Sequence, residues 1–385
     1  MTLVAGRPRT PIPVNVLTGF LGAGKTTLLS RHLKSPALAD TAVIVNEFGE
    51  ISLDHLLIET SDENIVELRG GCLCCQIQGD LISTLEDLLR RRDNGRVHPF
   101  RRVIIETTGL ADPAPVLHAL MLNPYLVLRY ALASVITAVD ALTGAETLNA
   151  HVESVRQVAV ADRIVITKTD LADPHGETGF PELENRLRSL NPSAWIVRAE
   201  APEAVPERLF EARLYNPENK SVDVANWLRA AAYPDGPDHN AHHTDAHHHG
   251  HKHDVNRHDA RIKAFSISHE QPIGIAALEL FFDLLRSSHG KGLLRMKGIV
   301  TTIEEPDRPL VVHGVQHVFH PPVFLDAWPD TDHTTRLVFI MYDGDEAAIR
   351  ALFSAIAAPS SDKIVGALAP VNPLATPGTG PFKPV

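Results

Sequence analysis

The sequence predicts an α/β domain with a mainly parallel sheet, followed by a smaller α+β domain. Three observations lead to this fold class. From Pro13 to about residue 230, short β-branched runs alternate with amphipathic stretches, which is typical of strand–helix–strand units. Residues 234–260 are polar and rich in His, and strand-like runs resume beyond them with segregated helices. The length of 385 residues also favours two domains, at about 100–200 residues each.

The strands of the first domain are predicted from short apolar runs. These runs are Val14–Leu17, Ala42–Asn46, Ile65–Leu68, Val103–Glu106, Ser134–Val139, Arg163–Thr167 and Trp195–Val197. Between them, apolar residues recur at helical spacing, as at Leu81, Leu85 and Leu88. Since such helices bury one face, we expect them to cover both sides of the sheet.

The His-rich segment divides the chain. It contains nine His, five Asp and one branched aliphatic residue, Val255, and cannot bury enough apolar area to offset its ordering entropy. After it, strand-like runs at Ile262–Ile267, Leu293–Val300 and Leu337–Tyr342 and a helix over 346–357 predict the α+β domain. The expected boundaries are a flexible N-terminus (1–12), the first domain (13–233), the linker (234–260), the second domain (261–358) and a Pro-rich tail (359–385).

Composition excludes several protein classes. With 36 basic and 47 acidic side chains, the net charge is −11, which argues against nucleic-acid binding because phosphates require clustered Lys and Arg. No apolar run reaches the roughly 18 residues of a membrane-spanning helix, and the N-terminus has no secretory signal pattern. We therefore expect a cytoplasmic protein whose thiols stay reduced.

A glycine-rich motif follows the first predicted strand. Gly19-Phe-Leu-Gly-Ala-Gly-Lys-Thr26 matches the phosphate-binding P-loop in its strand–loop–helix context. Such glycines let backbone N–H groups close around phosphate oxygens. Lys25 is expected to reach the β- and γ-phosphates, and the Thr26 hydroxyl to bind Mg²⁺.

Two further segments complete a nucleotide site. Glu106 ends an apolar strand and would organise Mg²⁺ or the attacking water, while the N–H of Gly109 would contact the γ-phosphate. In Thr167-Lys168-Thr169-Asp170, the Asp170 carboxylate can accept both N1–H and N2–H of guanine, and Lys168 can lie along the base. The usual guanine-reading pattern begins with Asn, so Thr167 leaves the strictness of GTP over ATP open.

All three cysteines lie in one Cys-X-Cys-Cys motif, Cys72, Cys74 and Cys75. Their clustering favours a soft-metal site, with Zn²⁺ the default and Co²⁺ or Cu⁺ as alternatives; a Cys74–Cys75 disulfide is the competing interpretation. Three thiolates leave a tetrahedral ion one ligand short, which suits a metal that is delivered. Glu47 or Glu50 could supply an oxygen ligand, and the linker histidines a low-specificity metal store.

Together these motifs resemble the CobW-like family of P-loop GTPases, which includes zinc-transferring metallochaperones and cobalamin-pathway proteins. The motifs that carry the resemblance are GFLGAGKTT (19–27), VNEFGE (45–50), GGCLCC (70–75), ETTGLADP (106–113), TKTD (167–170), LLRMKGIV (293–300) and VVHGVQH (311–317). The resemblance implies a GTPase that binds metal at the three cysteines and passes it to a client metalloprotein. By motif it implies that Gly22, Gly24, Lys25, Thr26 and Thr27 bind phosphates and Mg²⁺, that Glu106 organises hydrolysis and that Asp170 reads guanine. Gly19, Ala23, Gly109 and Lys168 complete the expected nucleotide contacts, and Lys25 and Glu106 are the expected catalytic residues.

Three other functions stay open at this point. A P-loop kinase or ATPase would have an incidental thiol cluster, and a metal buffer or sensor with weak GTPase activity would use the His-rich linker for most binding. A family member that delivers cobalt to corrinoid biosynthesis would use the same thiolates, because Co²⁺ also accepts tetrahedral sulfur. A homo-oligomer is compatible with each of them.

Overall fold

The computed structural model describes residues 11–45, 65–67, 74–172, 180–210 and 261–358. Several sequence expectations fall outside these residues: the N-terminus 1–10, Glu47, Glu50, Cys72, the linker 234–260 and the tail 359–385.

Within the described part of the chain, seven strands form one sheet in which every neighbouring pair is parallel. They are β1 (Ile12–Gly19), β2 (Thr41–Val45), β3 (Ile65–Glu67), β4 (Arg102–Glu106), β5 (Tyr130–Asp140), β6 (Arg163–Thr167) and β7 (Trp195–Arg198). The order β3-β2-β4-β1-β5-β6-β7 places β1 between β4 and β5. The predicted parallel sheet is confirmed, and the loops after these three strands meet at one edge.

Helices cover both faces of this sheet. They are α1 (Lys25–Leu33), α2 (Cys74–Asp93), α3 (Ala114–Leu122), α4 (Pro124–Arg129), α5 (Gly144–Ala150), α6 (Val152–Ala159), α7 (Thr169–Ala172), α8 (Pro181–Leu190) and α9 (Pro206–Leu209). Alternation along β1 sends Val14 and Val16 into the core beneath α2 and α3, and Leu17 into the core beneath α1. Leu85 of α2 is fully buried, as its spacing in the sequence predicts.

The second domain is an antiparallel sheet with two helices on one face. Its elements are β8 (Ile262–His269), α10 (Ile275–His289), β9 (Leu293–Val300), β10 (Leu310–Val315), β11 (Val318–Phe319), β12 (Val323–Phe324), β13 (Thr335–Tyr342) and α11 (Glu346–Ala357). Phe281 packs edge-on against Phe339 and Phe353 in its core. The predicted α+β architecture is therefore confirmed.

The other face of this second sheet packs onto the first domain. Ile262, Leu294 and Ile340 share one apolar cluster with Val155 and Leu187, which lie on α6 and α8. The second domain thus completes a core with the helices of the first.

A buried ion cluster joins the domains beside that core. Arg295 and Lys297 of β9 each lie 2.6 Å from Oδ1 of Asp162, and Val135 donates its N–H to Oδ2 over 2.8 Å. Burial opposes ionisation of Asp162, yet Arg295 and Lys297 hold the pKa of this carboxyl at about 2. Asp162 is therefore a carboxylate at neutral pH.

Histidines form a second contact between the domains. His118 of α3 lies 3.3 Å from the carbonyl oxygen of Val315, and its ring centroid lies 4.7 Å from that of His317. The rings of His313 and His320 lie in contact at a tilt of 42°, with centroids 4.0 Å apart, and burial together with Arg295 lowers the pKa of His320 to about 4. Among the described residues, no group of three or more His, Cys, Asp or Glu is placed to hold a metal ion.

The described helices include none that combines the length and the apolar character needed to cross a membrane.

Candidate nucleotide and metal site

The P-loop leaves β1 at Gly19 and enters α1 at Lys25. Gly19 has a φ of 141°, and a Cβ built there would lie 2.4 Å from the carbonyl oxygen of Ala138 on β5. Only glycine fits this approach of two neighbouring strands. Gly22 and Gly24 adopt φ values of 72° and 78°, the left-handed region that folds the loop back toward α1.

Lys25 is held against its own loop. Its Nζ donates to the carbonyl oxygens of Gly19 over 3.0 Å and Phe20 over 3.2 Å, and the residue is buried. The ammonium group therefore lies at the start of the loop, beside the backbone that would surround the phosphates.

Thr26 and Glu106 meet because their strands are neighbours. Leu17 of β1 pairs with Glu106 at the end of β4, and the Thr26 hydroxyl donates to Oε1 of Glu106 over 2.6 Å. A hydroxyl and a buried carboxylate at this separation form an oxygen donor set that suits Mg²⁺. The two residues predicted from separate motifs are thus brought together.

The segment after β4 packs against the P-loop. The Thr107 hydroxyl donates to that of Thr18 over 2.8 Å, and a Cβ at Gly109 would lie 2.5 Å from the backbone nitrogen of Leu21. Glycine is therefore required where this loop touches the P-loop. We call residues Gly109–Asp112 the Gly109 loop.

The predicted base-recognition segment adjoins the P-loop as well. The Thr167 hydroxyl lies 2.7 Å from the carbonyl oxygen of Ala23, and Lys168, at a φ of 57°, pairs with Asp140 over 2.6 Å. Burial opposes ionisation of Asp140, but the bonds from Lys168 and from the N–H of Leu142 hold its pKa below the usual range. Asp170 is the second residue of α7, and its side chain is exposed.

The last two residues of the cysteine motif, Cys74 and Cys75, are the first two residues of α2. Cys72, Glu47 and Glu50 and the side chains of Cys74 and Cys75 are not among the parts of the chain that the structure describes. Because β3 and β4 are parallel members of one sheet, α2 must run back from the edge where β3 ends. The P-loop leaves β1 at the same edge, so the backbone at Cys74 and the nucleotide motifs share one end of the domain.

Sequence reasoning missed two polar residues around this site. Asp140 ends β5 beside the P-loop, a position that its apolar strand could have revealed. Gln157 of α6 donates its amide to the carbonyl oxygens of Gly109 and Ala111, each over 3.1 Å. Nothing in the local sequence distinguishes Gln157 from an ordinary helical glutamine.

Comparison with known proteins agrees with this geometry. Residues 13–198 match the CobW/HypB/UreG nucleotide-binding domain, and residues 262–357 match the cobalamin synthesis protein CobW C-terminal domain. The chain is similar to the zinc chaperone YjiA of Escherichia coli (strain K12), with 33% identity over 346 residues that cover 90% of this chain and 99% of the relative. It is also similar to the zinc chaperone CobW of Pseudomonas aeruginosa, with 32% identity over 372 residues that cover 88% and 89% of the two chains.

A solved structure has the same architecture. The crystal structure of Zn(II)-bound YjiA GTPase from E. coli aligns with a TM-score of 0.58 and 28% identity, over 90% of this chain and 99% of that one. The family resemblance that the motifs indicated is therefore confirmed. On its sequence motifs, its two domains and these relatives, the chain belongs to the CobW family of P-loop nucleotide-binding proteins.

Proposed function

We propose that this chain is a GTP-hydrolysing metallochaperone that binds zinc at its Cys-X-Cys-Cys motif and transfers it to a client metalloprotein. The observation that carries the GTPase part is the 2.6 Å contact between Thr26 and Glu106 directly behind the P-loop. The names of the relatives, zinc chaperones and a zinc-bound GTPase, support the metal and the activity.

In the proposed reaction, the P-loop backbone from Gly19 to Thr27 surrounds the phosphates, and Lys25 exchanges its loop carbonyls for β- and γ-phosphate oxygens. Thr26 and Glu106 would hold Mg²⁺, which when bound neutralises the charge that develops on the transferred phosphate. The buried carboxylate of Glu106 also orients the attacking water, and the N–H of Gly109 donates to the γ-phosphate.

Guanine recognition is assigned to Asp170 and Lys168. The exposed carboxylate of Asp170 accepts the two donors of the guanine edge, and the Lys168 stem lies along the ring. Thr167 ties this segment to the P-loop through its bond to Ala23. That bond holds the base-binding segment at a fixed position relative to the P-loop, although the usual Asn is absent.

Zinc is the cargo of this reaction and is bound by the thiolates of Cys72, Cys74 and Cys75. Glu47 or Glu50 is proposed as a fourth, oxygen ligand, which would exchange more readily than a fourth thiolate. Cobalt is the second candidate, since Co²⁺ suits the same donors. The partner is a client metalloprotein in the cytoplasm, and neither nucleic acid nor a membrane is involved; a homo-oligomer is compatible with the proposal.

The direct test combines zinc binding and GTP hydrolysis on the full chain. Simultaneous change of Cys72, Cys74 and Cys75 to Ser should abolish the tight Zn²⁺ site and the effect of Zn²⁺ on GTP turnover. Ser83→Ala, at an exposed position of the same helix, is the matched control and should change neither. Unaltered Zn²⁺ affinity in the triple variant would refute the assignment, and faster turnover of ATP than GTP would favour a kinase or ATPase.

Deletion of residues 234–260 separates a chaperone from a metal buffer. The proposal expects the deleted chain to retain one tight Zn²⁺ site with unchanged affinity, measured by competition with a chelating dye. Loss of most bound zinc, including that tight site, would instead assign metal storage to the His-rich linker.

A further inference from the structure

Helix α6 touches the Gly109 loop through a buried amide. Gln157 is 1% exposed, and its Nε2 donates to the carbonyl oxygens of both Gly109 and Ala111. Its own backbone carbonyl accepts the Thr137 hydroxyl over 2.8 Å, which fixes α6 to β5. The side chain therefore connects the loop beside the P-loop to the rigid centre of the sheet.

Arg156, which precedes Gln157 on α6, contacts the C-terminal end of the Gly109 loop. Nη1 of Arg156 lies 3.3 Å from Oδ2 of Asp112, while Oδ1 of Asp112 accepts the N–H of Ala114 over 2.9 Å at the start of α3. The Arg156 guanidinium also lies 5.6 Å from the centre of the Tyr342 ring, in the second domain. One arginine thus contacts the loop and the neighbouring domain together.

The helix that follows the loop reaches the second domain by a separate route. α3 begins two residues after Asp112, and its His118 contacts Val315 and His317. A displacement of the Gly109 loop would therefore change contacts with the second domain at two places, one made by Arg156 and one made by α3.

We propose that Arg156 and Gln157 form a clamp that couples γ-phosphate recognition to the second domain. Gln157 is the positioning residue: its two bonds hold the Gly109 loop where the Gly109 N–H meets a γ-phosphate. Arg156 links the loop to the second domain, because a movement of Asp112 moves the Arg156 guanidinium relative to the Tyr342 ring. The proposal rests on the GTPase function proposed above, because only GTP carries the γ-phosphate that the loop would contact.

Gln157→Met tests the first half of the clamp, since Met keeps the length of the side chain and removes both donors. Affinities for GDP and for a non-hydrolysable GTP analogue are measured with fluorescent nucleotides on the full chain. The clamp predicts an affinity for the GTP analogue that falls about 10-fold, with kcat falling alongside it, because each lost hydrogen bond contributes a few-fold. GDP affinity should change by less than about 2-fold, since GDP lacks the group that the loop contacts.

Asn191→Ala is the matched control. The Asn191 amide donates to the carbonyl oxygens of Val158, Ala159 and Ala161, so this variant removes a buried amide that is bonded to the C-terminal end of α6, next to Gln157, without touching the loop. Asn191→Ala should lower the free energy of unfolding, yet leave the ratio of GTP-analogue to GDP affinity at the wild-type value. An unchanged ratio in folded Gln157→Met, or an equal shift in Asn191→Ala, would overturn the positioning role.

A second experiment does not depend on a buried substitution. Arg156→Leu and Tyr342→Leu should each lower the ratio of GTP-analogue to GDP affinity by about 3-fold, and the double variant no further, since both remove one link. Arg261→Leu is the control, because the Arg261 guanidinium also lies against the Tyr342 ring, 4.5 Å from its centre, but pairs with Asp343 rather than with the loop. Additive losses, or an equal loss in Arg261→Leu, would refute the coupling.

Failure of the clamp and failure of the proposed function give different results. Wild-type protein that does not hydrolyse GTP would overturn the function itself. Active wild type with unaltered clamp variants would overturn only this inference.

Discussion

Removal of the charge of Asp162 should destabilise the protein far more than removal of an exposed carboxylate. Asp162→Asn keeps the shape of the side chain and an oxygen for the Val135 N–H, but it leaves Arg295 and Lys297 without their shared counter-ion. All three side chains are at most 5% exposed. Breaking a buried ion pair in this way costs about 3–5 kcal/mol of unfolding free energy.

The pKa of Asp162 supplies an independent magnitude. A carboxyl whose pKa falls from 3.8 to about 2 on folding contributes about 2 kcal/mol, at 1.36 kcal/mol per unit. Because the folded pKa is the lower one, this contribution is complete above about pH 5 and is lost as the pH falls through about 2. Asp162→Asn should therefore have a lower free energy of unfolding than wild type at pH 7. Its free energy of unfolding should also decrease less than that of wild type on acidification.

Urea unfolding of the full chain, followed by circular dichroism, measures the difference. Asp343→Asn is the matched control, since Asp343 pairs with Arg261 at the surface, where solvent screens ion pairs and they contribute little to stability. Asn also tolerates the φ of 50° at this position. If Asp162→Asn destabilised the chain by no more than the control, the ion cluster would have no role in joining the domains.

Four further predictions follow from the site and the domain contact. Glu106→Gln should lower GTP turnover by about 100-fold or more with a far smaller loss of GDP affinity; unchanged turnover would remove its catalytic role. Gly109→Ala should lower kcat and GTP affinity because its Cβ would meet the P-loop at 2.5 Å, and wild-type kinetics would contradict that packing. Thr167→Val should raise the KM for GTP by about 10-fold, whereas Thr167→Ser should not, in steady-state assays. The folded pKa of His320, about 4, lies below its unfolded value, so the free energy of unfolding should decrease as the pH falls from about 6.5 to 4. In urea titrations, His320→Gln should make the free energy of unfolding less dependent on pH over this range.

Much of the first domain follows from local patterns. A parallel sheet brings the carboxyl ends of its strands to one edge, so the sequence alone predicts that the motif at Gly19–Thr26 and the carboxylate of Glu106 meet there. The helix through Leu81 and Leu85 followed from its apolar period, since a single face had to be buried.

The contacts that join the domains could not be predicted in the same way. Arg295 and Asp162 are separated by 133 positions, and a charged residue on a strand gives no sign of the partner it will meet. β11 and β12 have two residues each, too few to show an alternation. The geometry of the metal thiolates likewise stays a prediction, because Cys72 and the cysteine side chains lie outside the described structure.

If GTP hydrolysis drives the transfer of zinc, as the proposed function requires, zinc affinity must differ between the GTP-bound and the GDP-bound states. Titration of Zn²⁺ into the full chain, loaded either with GDP or with a non-hydrolysable GTP analogue, measures it directly by chelator competition. The dissociation constants for Zn²⁺ should differ by about 5- to 150-fold between the two states, as a coupling free energy of about 1–3 kcal/mol requires. Equal zinc affinities in both states would contradict the proposed function, because hydrolysis could then drive no transfer.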